Sequence, residues 1–177
     1  LLASTGLRPG EAVRLRQQEL NLREGELIIN SSKGWARRIV PASSSTIEAL
    51  ADYQQRRDQL LPCRGSDAFF VTDRGQPLDI RAAGYAFGLL CSHQGLLNQN
   101  ADRRPRLYDI RHTFVCNRIL AWYEADESVD SLMPQLSQYI GHKKVGDTYW
   151  YIQAIPTLMN IAAHRFESHQ RTAVGER

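Results

Sequence analysis

The sequence predicts a mainly α-helical chain with a small antiparallel β-sheet, an α+β fold. Apolar residues recur at helical spacing through most of the 177 residues, and 42% of them are hydrophobic, which suffices for one globular core. Two short β-prone runs flank a turn signal and indicate a hairpin. No stretch approaches the ~20 apolar residues that cross a bilayer. We therefore expect a single domain over residues 1–177 without a membrane span.

The chain opens with two helices. Leu1–Thr5 resembles the end of a helix closed at Gly6, because glycine adopts the left-handed conformation that ends helices. Pro9 suits the first turn of the next helix, which we expect to run to about Gln18.

A hairpin follows these helices. Leu27–Ile29 and Arg38–Val40 are the β-prone runs, and Ser31–Gly34 between them is the turn. Phe69–Val71 is either a third short strand or a buried turn.

Helices account for most of the remaining chain. Ser43–Asp58 is predicted as a helix capped by serine, with Ile47, Leu50 and Ala51 on its apolar face. The other predicted helices are Asp79 to about Leu90, one capped by Asp109 and running to Tyr123, Leu132–Ile140 ended by Gly141, and Ile155–Phe166. The stretch Ser92–Pro105 is polar and basic, which favours a loop.

Composition says little about function. The net charge is +3, and the three lysines among the 22 basic residues leave a majority of arginines, a weak indication of a polyanionic partner. The three cysteines form no zinc or disulfide pattern, which favours reduced thiols in an intracellular, cytoplasmic protein. The chain starts without methionine or a signal peptide. We expect a further N-terminal part to precede it.

Three segments stand out from this background. They are Thr5–Glu11 (TGLRPGE), Asp109–Phe114 (DIRHTF), and Ile140–His142 (IGH) followed closely by Thr148–Tyr151 (TYWY). Each alone is explained as a helix connection, a capped helix, or a helix end followed by core aromatics. Their occurrence together, in this order, indicates a shared chemistry.

In this order the segments resemble the catalytic domain of the tyrosine recombinase family, which includes phage integrases and chromosome-dimer resolvases. Arg8 matches the first arginine of the family, and Lys33, in a turn followed by the sequence RIVP, matches its hairpin lysine. The box that ends in Arg-His-Thr-Phe supplies Arg111, and the Gly-His pair supplies His142. The family nucleophile usually follows that histidine by nine positions, which selects Tyr151. The DTYWY segment is also similar to the transposon-borne branch of the family.

The resemblance implies a metal-free and ATP-independent cleavage of DNA strands. Arg8, Arg111 and His142 would hold the phosphate, because fixed donors stabilise the charge that grows on its oxygens. Tyr151 would attack the phosphorus and form a 3′-phosphotyrosyl bond. Lys33 is either the general acid for the departing 5′ oxygen or a simple phosphate contact. No cofactor or metal is expected, since acidic residues form no cluster.

Three neighbouring positions need separate interpretation. The family has a histidine where Tyr108 stands, and we expect the tyrosine to keep a hydrogen bond to phosphate but not the proton transfer, because its ordinary pKa is about 10. Glu11 either orients Arg8 or another basic group, or is a surface charge. His112 is predicted to be a buried structural histidine that bonds a backbone carbonyl.

The expected partner is double-stranded DNA, bound by a tetramer of this protein in the bacterial cytoplasm or nucleoid. The segment Ile155–Phe166 packs either on a neighbouring subunit, as the resemblance implies, or within its own chain. Two alternatives stay open: an inactive DNA-binding module of the same fold, and a type IB topoisomerase-like nicking and closing enzyme. The basic residues that we expect to meet the DNA backbone or solvent are Arg37, Arg38, Arg103, Arg104, Arg106, Lys143 and Lys144.

Overall fold

A computed structural model describes residues 1–30, 37–61, 65–96, 104–153 and 155. These residues form a mainly helical fold with one three-stranded antiparallel sheet, which confirms the predicted class. Contacts divide the chain into two compact units, Leu1–Phe114 and Val115–Arg177. In chain order the elements are α1 (Leu2–Thr5), α2 (Pro9–Val13), β1 (Leu20–Asn21), β2 (Glu26–Ile29), β3 (Arg38–Pro41), α3 (Ser44–Leu60), α4 (Ile80–His93), α5 (Leu107–Glu124), α6 (Val129–Ile140) and α7 (Gly146–Gln153).

The first unit begins with the two predicted helices. Gly6 ends α1 in the left-handed conformation, with φ 60°, and Pro9 is the first residue of α2. The predicted end of α2 at Gln18 is wrong, because the chain leaves the helix after Val13. There the backbone of Leu15 and Gln17 pairs with residues 67–69 instead, through hydrogen bonds of 2.8 and 2.9 Å. Tertiary pairing thus overrides helical propensity at this point.

The predicted hairpin is confirmed for its two strands. β2 and β3 pair antiparallel with Leu27 opposite Val40, and both of these side chains are fully buried. Ile39 is exposed because successive side chains alternate between the faces of a strand. The turn that carries Lys33 lies outside the described residues.

The third strand of the sheet was not predicted. It is β1, a two-residue strand that pairs with β2 through Leu20 and Leu27. Of the two interpretations of Phe69–Val71, the buried turn is correct, since Val71 makes only an isolated bridge to Pro77 while Phe69 is buried. Phe69 packs edge-on against Phe70, with ring centroids 4.9 Å apart.

Helix α3 matches the predicted range and part of the predicted face, on which Ile47 is half-buried. Ser43 precedes it as the N-cap, without a side-chain hydrogen bond to the backbone. Leu50 is buried as expected, whereas Ala51 is exposed. The buried stripe runs instead through Thr46, Leu50 and Arg57. The prediction that Ala51 lies on the buried face is wrong. The buried face includes Arg57, an arginine that the sequence suggests is solvated.

Helix α4 begins where the sequence predicts. The Asp79 side chain accepts the backbone N–H groups of Arg81 and Ala82, which leaves the pKa of its carboxyl below the ordinary range. The helix continues to His93, three residues past the predicted end.

Helix α5 contributes its first eight residues to the first unit and its remainder to the second. The prediction that Asp109 precedes this helix is wrong: the helix starts at Leu107, and Asp109 lies in its first turn. From there its carboxylate accepts the backbone N–H of Arg106 at 2.7 Å, so it still satisfies a helix-end donor.

The second unit contains α6 and α7. Helix α6 starts three residues earlier than predicted, because Val129, Met133 and Ile140 form one buried stripe that begins before Leu132. It ends at Gly141, which has φ 71°, as the sequence predicts. Helix α7 was missed, and the predicted helix Ile155–Phe166 lies outside the described residues except for Ile155, which is buried.

Two further expectations concern cysteines and membranes. Cys91 is buried and Cys116 half-buried, both as free thiols, and burial raises the pKa of Cys116. Cys63 lies outside the described residues. Across the part of the chain that the structure describes, no helix has the length and apolarity to span a bilayer.

Candidate active site

The loop between α1 and α2 presents Arg8. Arg8 has extended backbone angles, φ −65° and ψ 137°, and stands immediately before the first helical residue, Pro9. Its side chain is 31% exposed, so the guanidinium remains accessible. A tight turn at Gly6 brings the chain to this position.

Glu11 is nearly buried and holds Arg8 from two directions. Its Oε2 accepts the backbone N–H of Arg8 at 3.0 Å, and its Oε1 accepts Nη1 of the Arg8 side chain at 3.1 Å. The carboxylate side chain is only 6% exposed. Burial alone would raise the pKa of Glu11, but its hydrogen bond and attraction to Arg38, followed by those to Arg8, hold that pKa below the ordinary value. The surface-charge interpretation of Glu11 is therefore wrong, whereas its contact with Arg8 agrees with the orienting one.

Arg38, which begins strand β3, binds the same carboxylate. Its Nη1 and Nη2 donate to the two oxygens of Glu11 at 3.0 and 2.8 Å, a two-pronged arrangement. Arg38 was expected to meet DNA phosphate or solvent, yet its side chain is only 13% exposed. The sequence gives no direct signal for this pairing, because 27 residues separate the two partners.

Arg111 is completely buried in α5. Its Nη1 donates to the carbonyl oxygen of Gly6 at 2.6 Å, which ties the helix to the loop that carries Arg8. Two features require glycine at position 6. Its φ of 60° is left-handed, and a Cβ there would overlap the ring of Phe114. The two arginines that the resemblance selects thus lie within one unit. Arg111 binds the backbone at Gly6, two residues before Arg8.

Tyr108 and His112 lie one helical turn apart on α5 and contact each other. Their ring centroids are 5.3 Å apart with the planes at 67°, an edge-on arrangement, and Tyr108 is 40% exposed. The exposure of Tyr108 is compatible with a phosphate contact. The prediction of a buried His112 is wrong, since its side chain is half-buried. Residues four apart share a helix face, which explains why the neighbour of His112 is Tyr108 and not Arg111.

The predicted DNA-backbone residues have different environments. Arg106 pairs with Asp109 at 3.1 Å while 60% of its side chain stays exposed. Burial would raise the pKa of Asp109, but the hydrogen bonds from Arg106 keep it lowered. Lys33 and Arg103 lie outside the described residues. The other candidates are exposed: Arg37, Arg104, Lys143 and Lys144.

In the second unit, His142 follows the glycine that ends α6. Its Nδ1 lies 2.9 Å from the hydroxyl of Thr148, a fully buried residue of α7. This hydrogen bond fixes the orientation of the imidazole. Thr148 is a functional candidate that the sequence reasoning missed. Its signal was available: it lies three residues before Tyr151, on the same helix face.

Helix α7 also separates the two candidate tyrosines. Tyr151 is 3% exposed, and its ring is stacked on that of His142 with centroids 6.1 Å apart and planes at 19°. Tyr149 points its phenol instead at Asp130, to which it donates at 2.9 Å. That hydrogen bond raises the pKa of Tyr149, with smaller contributions from burial and from the charge of Asp130. Deprotonation is therefore disfavoured at Tyr149.

Among the residues that the structure describes, no group of three or more His, Cys, Asp or Glu side chains is arranged to hold a metal ion.

Comparison with known proteins establishes the family. The model of the phage integrase family matches residues 1–157, which contain each of the segments above. The chain belongs to the phage integrase family.

Relatives of this integrase-family chain extend well beyond it. A putative integrase/recombinase, y4rB of Sinorhizobium fredii, is 36% identical over 94% of this chain, and the match covers 54% of that relative. Our chain therefore spans about half the length of the relatives that it matches.

Solved structures confirm the fold of the integrase-family chain. The crystal structure of XerA recombinase superposes with a TM-score of 0.73 at 23% identity, covering 95% of this chain and 55% of that one. A post-cleavage complex of XerH recombinase with a palindromic difH substrate gives a TM-score of 0.70 at 21% identity, covering 94% and 44%. The predicted family and fold are both confirmed.

Proposed function

We propose that this chain is the catalytic part of a site-specific DNA recombinase, which cleaves and rejoins strands through a 3′-phosphotyrosyl intermediate. Tyr151 is the nucleophile. The observation that carries this choice is the contact between the rings of Tyr151 and His142, while the competing phenol of Tyr149 is bonded to Asp130. Membership of the integrase family supports the reaction class.

Two arginines supply the fixed positive charge in this proposal. Attack on a DNA phosphodiester passes through five-coordinate phosphorus with extra negative charge on the non-bridging oxygens. Arg8 and Arg111 stabilise that charge, because a guanidinium stays protonated and grips two oxygens at once. Arg8 is accessible as it stands. Arg111 has no exposed surface, so DNA must open a local path to it.

The remaining groups handle the leaving oxygen and the phosphate. As the Tyr151 oxygen bonds to phosphorus, it gives up its proton to water, the bond to the 5′ oxygen breaks, and Lys33 gives that oxygen a proton. His142 donates a hydrogen bond from its Nε2 side, with Thr148 holding the other ring nitrogen. Tyr108, which is 40% exposed, contributes a phosphate hydrogen bond through its hydroxyl. The energy of the broken ester is kept in the phosphotyrosyl bond, so rejoining requires no nucleotide cofactor.

The proposed partner is double-stranded DNA, bound by four copies of the protein. The XerH structure holds a recombinase on its DNA substrate and supports this partner for a chain of the same fold. The exposed basic residues Arg37, Arg104, Lys143 and Lys144 would contact the phosphate backbone, which gives affinity and register but little sequence information. The reaction would take place in the cytoplasm, on the bacterial nucleoid.

A covalent-trapping experiment tests the proposal. The full natural protein is incubated with nicked duplexes whose central 30 or so base pairs are randomised, so that a cleaved strand diffuses away and the adduct persists. Adducts are isolated under denaturing conditions and their DNA is sequenced to obtain a preferred duplex. We expect wild type and Tyr149→Phe to form the adduct and Tyr151→Phe to form none.

The outcomes separate the candidate functions. An adduct that survives in Tyr151→Phe but disappears in Tyr149→Phe would reassign the nucleophile. If wild type binds duplexes but never forms an adduct, the chain is a DNA-binding module. An adduct formed by monomers alone, with plasmid relaxation and no exchange between duplexes, favours a topoisomerase-like enzyme.

A further inference from the structure

The carboxylate of Glu11 is shared between two arginines from different elements. Arg38 of β3 donates to both of its oxygens, and Arg8 donates through a side-chain N–H and its backbone N–H. Glu11 thus accepts four hydrogen bonds, close to the full capacity of a carboxylate. A group so bonded is fixed in orientation, and it fixes its partners in turn.

Burial ranks the three side chains. Glu11 is 6% exposed, Arg38 13% and Arg8 31%. The proposed phosphate ligand is therefore the most accessible member, and Arg38 is the less accessible of the two arginines. A DNA phosphate could recruit Arg38 only by breaking a two-pronged ion pair in a poorly solvated place.

Both arginines favour the charged form of Glu11. Burial raises the pKa of Glu11, and the hydrogen bond from Arg38 opposes it, with attraction to Arg38 and Arg8 adding to that effect. Other charged groups near Glu11 line an adjoining cavity: Arg14, Arg16 and Glu19. When Arg38 keeps the carboxylate ionised, both carboxylate oxygens remain acceptors for Arg8. A protonated Glu11 would offer Arg8 a weaker and differently directed contact.

We propose that Arg38 is a positioning residue for DNA cleavage, which acts through Glu11 to hold Arg8 in place and does not contact the DNA backbone. This inference rests on the proposed function, because Arg8 must serve the cleavage step. It gives Arg38 a role opposite to that of the exposed basic residues. A phosphate contact adds affinity, whereas a positioning residue sets the rate of the chemical step.

The test compares four variants of the full natural protein: Arg38→Gln, Arg38→Lys, Glu11→Gln and the double variant Arg38→Gln/Glu11→Gln. Arg56→Gln is the matched control, since Arg56 on α3 is 78% exposed and pairs with its helix neighbour Asp52 at 3.8 Å. The probe is the nicked duplex selected with wild type. Single-turnover adduct formation is measured at saturating protein, and equilibrium binding to the unnicked duplex is measured across a salt series.

We expect Arg38→Gln to slow adduct formation by about 100-fold, as small displacements of a catalytic group do. Arg38→Lys should lose less, because it keeps the charge but not the two-pronged geometry. The double variant should be no slower than the slower single variant, since both changes remove one contact. The salt dependence of binding should match that of wild type, and Arg56→Gln should behave as wild type in both assays.

Three results would overturn the inference. One is a salt slope shallower by about 0.9 in Arg38→Gln, the signature of one lost phosphate contact. Another is multiplicative losses in the double variant, which would mean independent roles. The third is adduct formation at the wild-type rate in both Arg38 variants, once the rate is corrected for the folded fraction measured by thermal melting. Arg38 would then have a role in stability alone. If wild type itself forms no adduct, it is the proposed function that fails.

Discussion

The two units hold their candidate catalytic groups by different means. In the first, Arg8 and Arg111 are fixed by charged or buried contacts, through the Glu11 carboxylate and the Gly6 carbonyl oxygen. In the second, His142 is hydrogen-bonded to the uncharged hydroxyl of Thr148, and its ring stacks on that of Tyr151, which lies on the eight-residue helix α7. Groups that bind a phosphate benefit from a rigid frame. A nucleophile must reach the phosphorus and later leave it, so uncharged contacts suit it better than ion pairs.

The largest expected effect comes from replacing Arg111, the fully buried arginine among the candidate catalytic residues of the first unit. Arg111→Lys should lower the rate of adduct formation by about 100- to 1000-fold, because lysine cannot reproduce a pair of fixed donors. The rate is measured in single turnover with the selected nicked duplex, and stability by thermal melting.

Arg57 offers a control for that change. It is likewise buried, and its Nη1 also donates to a carbonyl oxygen at 2.6 Å, that of Phe69. Arg57→Lys should lower the melting temperature while the folded protein cleaves at the wild-type rate. Equal loss of cleavage in both variants would mean that burial, and not chemistry, is the property being measured.

A second substitution tests Gly6, whose carbonyl oxygen accepts the hydrogen bond of Arg111. Gly6→Ala should lower the free energy of unfolding by about 1–3 kcal/mol, because alanine resists a positive φ and its Cβ meets the ring of Phe114. Gly88→Ala on α4, where a Cβ finds nothing within 4 Å, should instead stabilise by about 0.5–1 kcal/mol. Urea unfolding measures both. Matching shifts in the two variants would contradict the structural account.

In the second unit, Thr148→Val should slow cleavage about tenfold, since the loss of one buried hydrogen bond costs roughly 1–3 kcal/mol. The shape of the side chain is retained, so the effect isolates the hydroxyl that holds His142. Thr148→Ser should restore most of the rate. A serine variant as slow as the valine variant would point to packing, and would make the two units more alike than the contacts suggest.

Acid should weaken the first unit through Glu11. The folded-state pKa of Glu11 is lower than its ordinary value of 4.5, so the folded state binds fewer protons than the unfolded state between the two values. Its stabilising contribution is complete above pH 4.5 and declines as the pH falls toward the folded pKa. Denaturant unfolding from pH 6 to 3 should show that the free energy of unfolding falls less in Glu11→Gln than in wild type. An identical pH dependence of that free energy in the two proteins would exclude this contribution.

The smallest effect concerns Tyr149. Asp130→Asn removes the carboxylate that raises the pKa of the phenol, so that pKa should fall toward the ordinary value. Ultraviolet titration of wild type, Asp130→Asn and Tyr149→Phe isolates the change. A phenol that titrates unchanged in Asp130→Asn would remove one reason for preferring Tyr151 as nucleophile.

The sequence predicts more of this molecule locally than at a distance. Helix ends at Gly6 and Gly141, the cap at Asp79 and the two strands of the hairpin follow from the residues within each segment or immediately beside it. The premature end of α2 and the strand β1 depend on pairing with distant backbone, which periodicity does not report.

The candidate site divides in the same way. Spacing from His142 selects Tyr151, and the ring contact between the two agrees with that choice. Arg38 shows the limit of the method: basic clusters suggest a solvated or DNA-facing surface, but a carboxylate 27 residues away in the sequence binds this arginine instead. Arg57 is likewise buried in the core, although arginine usually lies at the protein surface.

Trp150, the neighbour of the proposed nucleophile, gives the protein an optical reporter of its own. Its indole is 54% exposed and stands edge-on to the ring of Tyr151, with centroids 5.6 Å apart. Any displacement of Tyr151 toward a phosphate alters the surroundings of that indole, and so its emission. Stopped-flow fluorescence of unlabelled protein and DNA can then time the movement of the tyrosine separately from the bond that it makes.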